Sequence, residues 1–221
     1  LRPEAGQLFS VFYEEGGARH PATLADYAYF TEGLLAIASK ADLFEPGSAA
    51  TYIDRARELT DEALERFADP AKPGYFLSQP NTLSIGVRKK DWFDNAVPSG
   101  NSALLQVLVG LQAIDPQPRY AEAIASLRRG YAGYIERAPN GISHALSAFT
   151  QQAVGVAVLK IKNLSDTKVQ ELCETLRSRP WRRLFVLDAS ADAAQPNGLQ
   201  LCVGTQCAAP SKSIRTALKG L

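Results

Sequence analysis

Residues 86–111 read GVRKKDWFDNAVPSGNSALLQVLVGL, a polar stretch that runs directly into an apolar one. The apolar part predicts a helix over about residues 100–114 whose apolar side chains cover almost its whole circumference. Ser99 suits the N-cap, because its hydroxyl oxygen can accept a free backbone N–H of the first turn. A helix of this kind must be covered on all sides. Because the polar residues 86–98 precede it, its N-terminal end is where a buried helix meets a polar loop. We therefore expect a functional site at this end.

The helices predicted on either side alternate in kind. Mostly apolar helices are predicted over about residues 23–41, 100–114 and 142–153, and amphipathic ones over about residues 49–68 and 118–137. This alternation is typical of αα-hairpins laid side by side, with one helix of each pair inside and the other outside. Closed into a ring, such hairpins form an α/α toroid around a central cavity. The chain holds about two and a half hairpins, so we predict a mainly α fold that is a partial toroid.

Two segments before residue 100 carry short β-like runs. Residues 7–13 predict a short strand, with a turn at residues 14–17. Residues 70–98 are rich in Pro and Gly and contain two such runs, Tyr75–Leu77 and Leu83–Val87, which predict a β-hairpin inserted in the toroid or a long ordered loop.

The period of the apolar residues changes after residue 153. Residues 154–161 predict a buried strand, residues 165–178 a helix and residues 184–187 a second strand. A strand–helix–strand unit favours parallel pairing with a right-handed crossover. A third strand at residues 199–203 and a short helix at residues 211–218 complete a small α/β lobe. The predicted domains are therefore residues 1–153 and 154–221.

Composition excludes several classes of partner. A net charge of +1 over 221 residues gives no electrostatic case for binding nucleic acid or an anionic membrane. No apolar run reaches the length of about 18 residues that a membrane-spanning helix needs.

Three cysteines, an odd number, favour a reducing compartment, so we predict a cytoplasmic location. Cys202 and Cys207 are interpreted as a structural pair, reduced or disulfide-linked, because too few further ligands exist for zinc. We predict no metal site and no cofactor.

Asp91 and Asp94 are the candidate catalytic residues. Two carboxylates in different environments can act as a general acid and a general base, and glycosidases place such a pair around the bond they cleave. The alternative is that both are turn and cap residues that pair with Arg88, Lys89 and Lys90 at the surface.

Further candidates surround the predicted cavity. Asp26 could accept a sugar hydroxyl beside the ring of Tyr27, or could be a first-turn acid stabilised by the helix dipole. Trp92 could stack on a sugar ring or cover the core. Ser99 and Asn101 stand where caps are needed, so capping competes with binding as their role. The substrate-binding candidates are Asp26, Tyr27, Arg88, Trp92, Ser99 and Asn101.

Histidine is scarce in this chain. His20 and His144 are its two histidines, and each is a candidate proton shuttle because the imidazole pKa lies near neutrality.

Several short motifs occur together in the order of a known family. They are Asp26–Ala28 within LADYAYFTEGLL, Gly74–Phe76, Arg88 with Lys90 and Asp91, Asp94, Pro98–Ser102, and Cys202–Cys207 followed by Pro210. Together they resemble the C-terminal half of the spermatogenesis-associated protein 20 family of thioredoxin-domain-containing proteins, over about residues 8–218. Pro73 departs from the family's Gly-Gly-Tyr-Phe turn.

The resemblance implies a fold, a partner and two functional hypotheses. It implies a six-hairpin, glycosidase-like (α/α)6 toroid, similar to the N-acylglucosamine 2-epimerase group, and an N-terminal half with a thioredoxin-like domain and the first hairpins. A chain that opens on Leu1 and contains no Met fits a piece of such a protein. The first hypothesis is a cavity that binds or modifies a sugar or sugar derivative. Sugar epimerases use histidine as a proton shuttle, so a chain with two histidines weakens an epimerase interpretation of this cavity. The alternative is a non-catalytic interaction or scaffold module with a vestigial sugar cavity. We also expect self-association through an apolar edge that the missing hairpins would cover.

Overall fold

The computed structural model describes residues 7–80, 87–177 and 184–219, and about half of these residues are helical. The described helices are α1 (Leu24–Ala41), α2 (Ser48–Arg66), α3 (Gly100–Ile114), α4 (Pro118–Arg137), α5 (Ser143–Val154), α6 (Asp166–Arg177) and α7 (Ile214–Ala217). The described strands are β1 (Phe9–Tyr13), β2 (Gly17–Pro21), β3 (Ala157–Lys162), β4 (Leu184–Asp188), β5 (Gly198–Val203) and β6 (Gln206–Cys207). The prediction of a mainly helical chain that ends in an α/β region is confirmed.

Backbone contacts divide the chain into two compact units. The first comprises residues 1–33 and 55–150, and the second comprises residues 34–54 and 151–221. The domain division at residues 153 and 154 stays a prediction. The contacts add that residues 34–54, at the end of α1 and the start of α2, pack with the C-terminal part of the chain.

Helices α3 and α4 form the centre of the first unit. Every residue of α3 from Gly100 to Leu111 is buried, as the all-round apolar pattern predicts. Helix α4 buries one face, which carries Tyr120, Ala123, Ile124, Leu127 and Tyr131. This spacing of three and four residues is the amphipathic pattern that the sequence predicts.

Helix α1 is apolar, as predicted, but it is not covered on all sides. The side chain of Phe30 is 49% exposed and that of Ile37 is 52% exposed. Tyr27 and Ala28, on another face of the same helix, are completely buried. Helix α1 therefore leaves the apolar side chains of Phe30 and Ile37 about half exposed.

A β-hairpin lies near the start of the first unit. β1 pairs antiparallel with β2, with Phe9 opposite Pro21 and Tyr13 opposite Gly17. The sequence predicts β1 and the turn, but Gly17–Pro21 reads GARHP and lacks the apolar alternation that identifies a strand. β2 forms because the turn, which contains Gly16 and Gly17 at positive φ, brings it beside β1.

The segment before α3 is an ordered loop wherever it is described. Within residues 70–80 and 87–98 no strand forms, and Tyr75–Leu77 makes only an isolated bridge from Tyr75 to Ala68. The Leu77 N–H donates to the Lys89 carbonyl at 2.7 Å, which fixes the two arms of the loop together. The second predicted run, from Leu83, lies outside the described residues except for Val87.

The second unit is built on a four-stranded sheet of order β4-β3-β5-β6. β3 and β4 pair in parallel and are joined through α6, which confirms the predicted strand–helix–strand unit. β5 and β6 continue the sheet antiparallel. The predicted start of β3 at residue 154 is wrong, because Val154 ends α5 and Gly155 has a φ of +88°, so β3 begins only at Ala157.

Asp42 explains why residues 34–54 pack with this sheet. Its side chain is 5% exposed and accepts the Ala49 N–H at 2.8 Å and the Asp188 N–H at 2.6 Å. One carboxylate thus holds the turn between α1 and α2 to the end of β4. Leu43 beside it joins the core cluster formed by the sheet, α6 and α7.

Lys40 should make the stability of the second unit depend on pH. Its ammonium group donates to the carbonyls of Ser39 and Leu184, and burial lowers its pKa to about 8. Below that pH the lysine is charged in both the folded and the unfolded state, so the cost of burying the charge is fully present. Between about pH 8 and pH 10.5 the folded state alone has released the proton, so the free energy of unfolding should rise with pH.

Chemical denaturation at several pH values tests this expectation. The free energy of unfolding should rise more steeply between pH 8 and pH 10.5 in the parent chain than in the Lys40→Met variant. Equal slopes for the two proteins would contradict the assignment.

Candidate functional site

The N-terminus of α3 is capped as predicted. Ser99 is 1% exposed, and its hydroxyl oxygen accepts the Ser102 N–H at 3.2 Å. The same hydroxyl lies 2.9 Å from the Ser102 hydroxyl and 3.2 Å from the Tyr131 hydroxyl. Burial raises the pKa of Tyr131, so this phenol stays protonated and takes part as a neutral group.

Asp94 caps two helices with one carboxylate. Its Oδ1 accepts the Ser99 N–H at 2.9 Å and the Ser102 hydroxyl, at the start of α3. Its Oδ2 accepts the His144 N–H at 2.8 Å, at the start of α5. The N-terminal ends of both helices carry partial positive charge, which favours a carboxylate at this position.

Asn101 is a buried clamp between α3 and the preceding loop. Its side chain is 0% exposed. Nδ2 donates to the carbonyls of Tyr75 and Asp91, each at 2.9 Å, and Oδ1 accepts the Tyr75 N–H at 2.9 Å. Both donor hydrogens and the acceptor are therefore used by the backbone. Asp91 enters this cluster through its main chain.

Trp92 packs against helix α4. Its ring lies edge-on to Tyr131, with 4.8 Å between centroids, and occupies the space beside Gly74 and Gly130. A Cβ atom at either glycine would overlap the indole ring. These contacts are those of a residue that covers the core, which is one of the two roles that the sequence leaves open.

Arg88 and Lys90 bind the backbone of the same region. The Arg88 guanidinium donates to the carbonyls of Ser78 at 2.8 Å and Arg66 at 3.1 Å. It also lies 4.0 Å from the centroid of the Phe76 ring. Lys90 pairs with Asp69 at 2.8 Å. Asp94 is a cap residue, as the alternative to catalysis predicts, but the described contacts of Arg88 and Lys90 are with other groups.

Asp26 and Tyr27 are neighbours in sequence but lie in different surroundings. Asp26 Oδ2 accepts the Thr23 N–H at 2.7 Å, the Thr23 hydroxyl at 2.9 Å and the Ser10 hydroxyl at 2.7 Å, which is a capping arrangement at the start of α1. Tyr27 is 0% exposed, and its hydroxyl donates to Glu62 and accepts the Leu8 N–H, both at 3.2 Å. The Tyr27 ring is therefore part of the core, while Asp26 reaches the surface.

Asp26 lies on the wall of a cavity of about 590 Å³ between β1 and the first turns of α1. We name this cavity the β1–α1 pocket. Its volume lies within the usual range for small-molecule sites. The lining residues are Leu8, Phe9, Ser10, Asp26, Tyr29, Phe30 and Arg55.

Tyr29 connects the β1–α1 pocket with the loop before α3. Its ring lines the pocket, and its hydroxyl donates to the Pro98 carbonyl. Burial, followed by the negative charges of Asp94 and Asp91, raises the pKa of this phenol. Tyr29 is thus a neutral donor surrounded by carboxylates.

A smaller hollow of about 290 Å³ lies on the other side of Pro98. It is lined by residues 94–98 together with Ser143, His144 and Ser147. The His144 Nε2 atom lies 3.7 Å from a carboxylate oxygen of Glu32. His20, the other histidine, lies on the exposed strand β2 at φ 61°, where its ring contacts Tyr13.

The structure brings five of the predicted site residues together and separates the others. Asp91, Trp92, Asp94, Ser99 and Asn101 meet at the N-terminus of α3. Asp26 lines the β1–α1 pocket and Tyr27 lies in the core. Arg88 binds the carbonyl of Arg66, at the end of α2.

Of the seven residues that line the pocket, sequence reasoning identified Asp26 and missed the other six, which are Leu8, Phe9, Ser10, Tyr29, Phe30 and Arg55. Part of the signal was available, because Asp26, Tyr29 and Phe30 have the spacing of three and four residues that places them on one helix face. Ser10 and Arg55 have no such signal, since only the fold brings β1 and α2 to that face.

The comparisons with known proteins give one distant relationship. No protein-family model matches the chain. The chain is similar to spermatogenesis-associated protein 20 of Mus musculus, with 27% identity over 154 residues. It is a distant homologue of that protein. The match covers 68% of this chain but 19% of the relative, so the chain spans about a fifth of the relative's length.

The described residues offer neither a metal-binding cluster nor a membrane-spanning helix. Within the described residues, no group of three or more His, Cys, Asp or Glu side chains is placed to hold a metal ion. Among the described helices, none combines the length and the apolar character needed to cross a membrane.

Asp94 and Asp91 should differ sharply in their effect on stability. Asp94→Ala removes the acceptor for two backbone N–H groups and one hydroxyl, so we expect the free energy of unfolding to fall by about 1.5 kcal/mol. Asp91→Ala keeps the main-chain carbonyl that Asn101 uses and should change stability by less than about 0.5 kcal/mol. Urea denaturation of both variants makes the comparison, and an equal loss would contradict the two-helix capping role of Asp94.

Proposed function

We propose that the chain forms part of a six-hairpin α/α toroid and that the β1–α1 pocket binds a sugar or a sugar derivative. One observation carries the proposal. The half-exposed ring of Phe30 and the carboxylate of Asp26 line the same cavity. Sugars offer apolar C–H faces that pack on aromatic rings and hydroxyl groups that donate to carboxylates, so this pair matches their chemistry.

Asp26 is oriented before any ligand arrives. Among the described residues, all of its side-chain acceptor bonds end on Oδ2, where Thr23 and Ser10 donate. The Oδ1 atom is left for a hydroxyl of the ligand. A side chain that is already fixed loses little conformational freedom on binding, which favours affinity.

The aromatic and cationic residues of the pocket extend this match. Phe9 and Phe30 supply apolar surface, and Tyr29 stays a neutral phenol. Arg55 pairs with Glu58 at 2.6 Å, and its side chain is 30% exposed. Its guanidinium can therefore reach an acidic group such as a phosphate or carboxylate on a sugar derivative.

The proposed toroid is supported by the difference in burial between helices α3 and α4. Helix α3 is buried from Gly100 to Leu111, whereas its neighbour α4 buries a single face. This contrast supports an inner and an outer helix of one αα-hairpin. The similarity to spermatogenesis-associated protein 20 supports the same family but not the ring itself.

Catalysis by Asp91 and Asp94 stays a prediction, and a second function competes with it. The hydrogen bonds in this region join helix ends and loop backbone, and they are made by Asp94, Ser99 and Asn101. Because these hydrogen bonds are structural, they favour a non-catalytic interaction or scaffold module, in which the N-terminal end of α3 serves only to hold the fold together. The two functions differ in whether the β1–α1 pocket takes a ligand.

Phe30→Ala should weaken sugar binding about tenfold, because it removes the exposed stacking surface of the pocket. The measurement is a saturation-transfer NMR screen of neutral monosaccharides, uronic acids and sugar phosphates, followed by calorimetry on the best ligand. Phe12→Ala is the matched control, since Phe12 is 60% exposed on β1 but does not line the pocket.

The possible outcomes separate the two functions. Binding that falls for Phe30→Ala and Asp26→Asn but persists for Phe12→Ala supports the sugar-binding pocket. No binding by any member of the panel at 10 mM (about −3 kcal/mol or weaker) overturns it and favours the scaffold function.

A further inference from the structure

The Cys202–Cys207 disulfide lies at the edge of the sheet in the second unit. Cys202 on β5 stands directly opposite Cys207 on β6, and β6 is the outermost of the described strands of this sheet. The two ends of the bond differ in access, since Cys202 is 7% exposed whereas Cys207 is exposed. The Cys207 end of the bond is therefore the more accessible one to a thiolate that attacks from solvent.

The antiparallel pair of β5 and β6 is also held by backbone hydrogen bonds, independently of this disulfide. The Ala208 N–H donates to the Leu201 carbonyl at 2.8 Å, and the Gly204 N–H donates to the Val156 carbonyl at 3.4 Å. The loop that the bond closes is short, because the two cysteines are five positions apart in sequence. Short loops restrict the unfolded chain least, so this disulfide stabilises the fold less than a long-range one would.

A groove of about 690 Å³ runs beside the exposed sulfur. Cys207 lies on its wall with Gln206, Val203, Gly204, Gly155 and Val154. Val154 is 69% exposed, so the groove offers apolar surface next to the outer edge of β6. An edge strand presents backbone groups to which an extended segment of another protein can pair.

We propose that Cys202–Cys207 is a reversible thiol–disulfide exchange site, and that its partner is a protein dithiol presented on an extended segment in this groove. A partner thiolate attacks the Cys207 sulfur, a bond forms between these two sulfurs, and the Cys202–Cys207 bond breaks. Cys202 leaves as a thiolate and takes a proton from water. The second partner thiolate then displaces Cys207, so the partner is oxidised to a disulfide and this chain is reduced by two electrons.

The third cysteine is not part of the exchange. Cys173 is a free thiol on α6, is partly buried and packs against the core cluster of the second unit. Cys173→Ser is therefore the background in which the two exchange cysteines can be followed alone.

Trapping with a dithiol oxidoreductase that lacks its resolving cysteine tests the site on the full chain. In the Cys173→Ser background we expect a mixed disulfide that mass spectrometry maps to Cys207 at least tenfold more often than to Cys202. Dithiothreitol should reduce the bond without denaturant, and the far-ultraviolet circular dichroism should stay unchanged. Equal trapping at both cysteines, or reduction only in denaturant, overturns the proposal.

Single-cysteine variants provide an independent measurement. The free Cys207 thiol in Cys202→Ser should react with a maleimide at least tenfold faster than the free Cys202 thiol in Cys207→Ser. Comparable rates would overturn the assignment of Cys207 as the attacked sulfur. Neither measurement depends on sugar binding, so this proposal and the proposed function can fail separately.

Discussion

Asn101→Ala is expected to lower the free energy of unfolding by about 4 kcal/mol. Three hydrogen bonds disappear together, and the N–H and carbonyl of Tyr75 and the carbonyl of Asp91 lose their side-chain partner. Asn101 is 0% exposed, so water does not reach the gap without rearrangement of the loop. Urea denaturation followed by tryptophan fluorescence measures the loss, and Trp92 in the same loop contributes to the signal.

Two further variants define the cause of this loss. Asn101→Asp keeps the acceptor for the Tyr75 N–H but turns a carboxylate oxygen toward two carbonyls, so we expect an equally large loss at neutral pH. Asn95→Ala, in the exposed part of the same loop, should change stability by less than about 0.5 kcal/mol. A loss below about 1 kcal/mol for Asn101→Ala would contradict the clamp and reopen a ligand-binding role for this residue.

Gly130→Ala and Gly133→Ala should have effects of opposite sign, although both lie in helix α4. Alanine is favoured over glycine by about 1 kcal/mol in a helix interior, so each substitution alone gains helix propensity. At Gly130 the new methyl group overlaps the Trp92 ring, and we expect a net loss of about 2 kcal/mol from overpacking. At Gly133 the methyl group meets only the mobile end of Arg137, at 2.6 Å, and we expect a net gain of up to about 1 kcal/mol.

A double-mutant cycle identifies the overlap as the cause. In a Trp92→Leu background the smaller side chain leaves room beside α4, so most of the penalty of Gly130→Ala should disappear. The effect of Gly133→Ala should be the same in both backgrounds. A penalty at Gly130 that persists without the indole would show that Trp92 does not fill this space.

These two predictions also bear on function. If Asn101 and Trp92 prove to be large contributors to stability, the loop before α3 is an architectural element. A ligand site in the first unit then rests on Asp26, Tyr29 and Phe30 in the β1–α1 pocket. The candidate binding site would then lie at helix α1, whereas the polar residues of the sequence predict it at the N-terminus of α3.

The sequence alone determined the elements whose signals are local. The unbroken apolar pattern of residues 103–111 predicted a buried helix, and Ser99 before it predicted the cap, because side-chain period and capping act within a few residues. The apolar runs of β3 and β4 around α6 predicted their parallel pairing, since a strand–helix–strand connection permits little else. Strand β2 escaped prediction because its stability comes from pairing with β1.

Only the tertiary structure decided what the polar residues do. Asp94 reaches His144 across 50 positions, and Asn101 reaches Tyr75 across 26, so no local pattern distinguishes these clamps from a catalytic pair. The sequence placed Asp26 and Tyr27 side by side, but successive residues of a helix point about 100° apart. Folding therefore buried Tyr27 and left Asp26 at a cavity that β1 and α2 complete from distant parts of the chain.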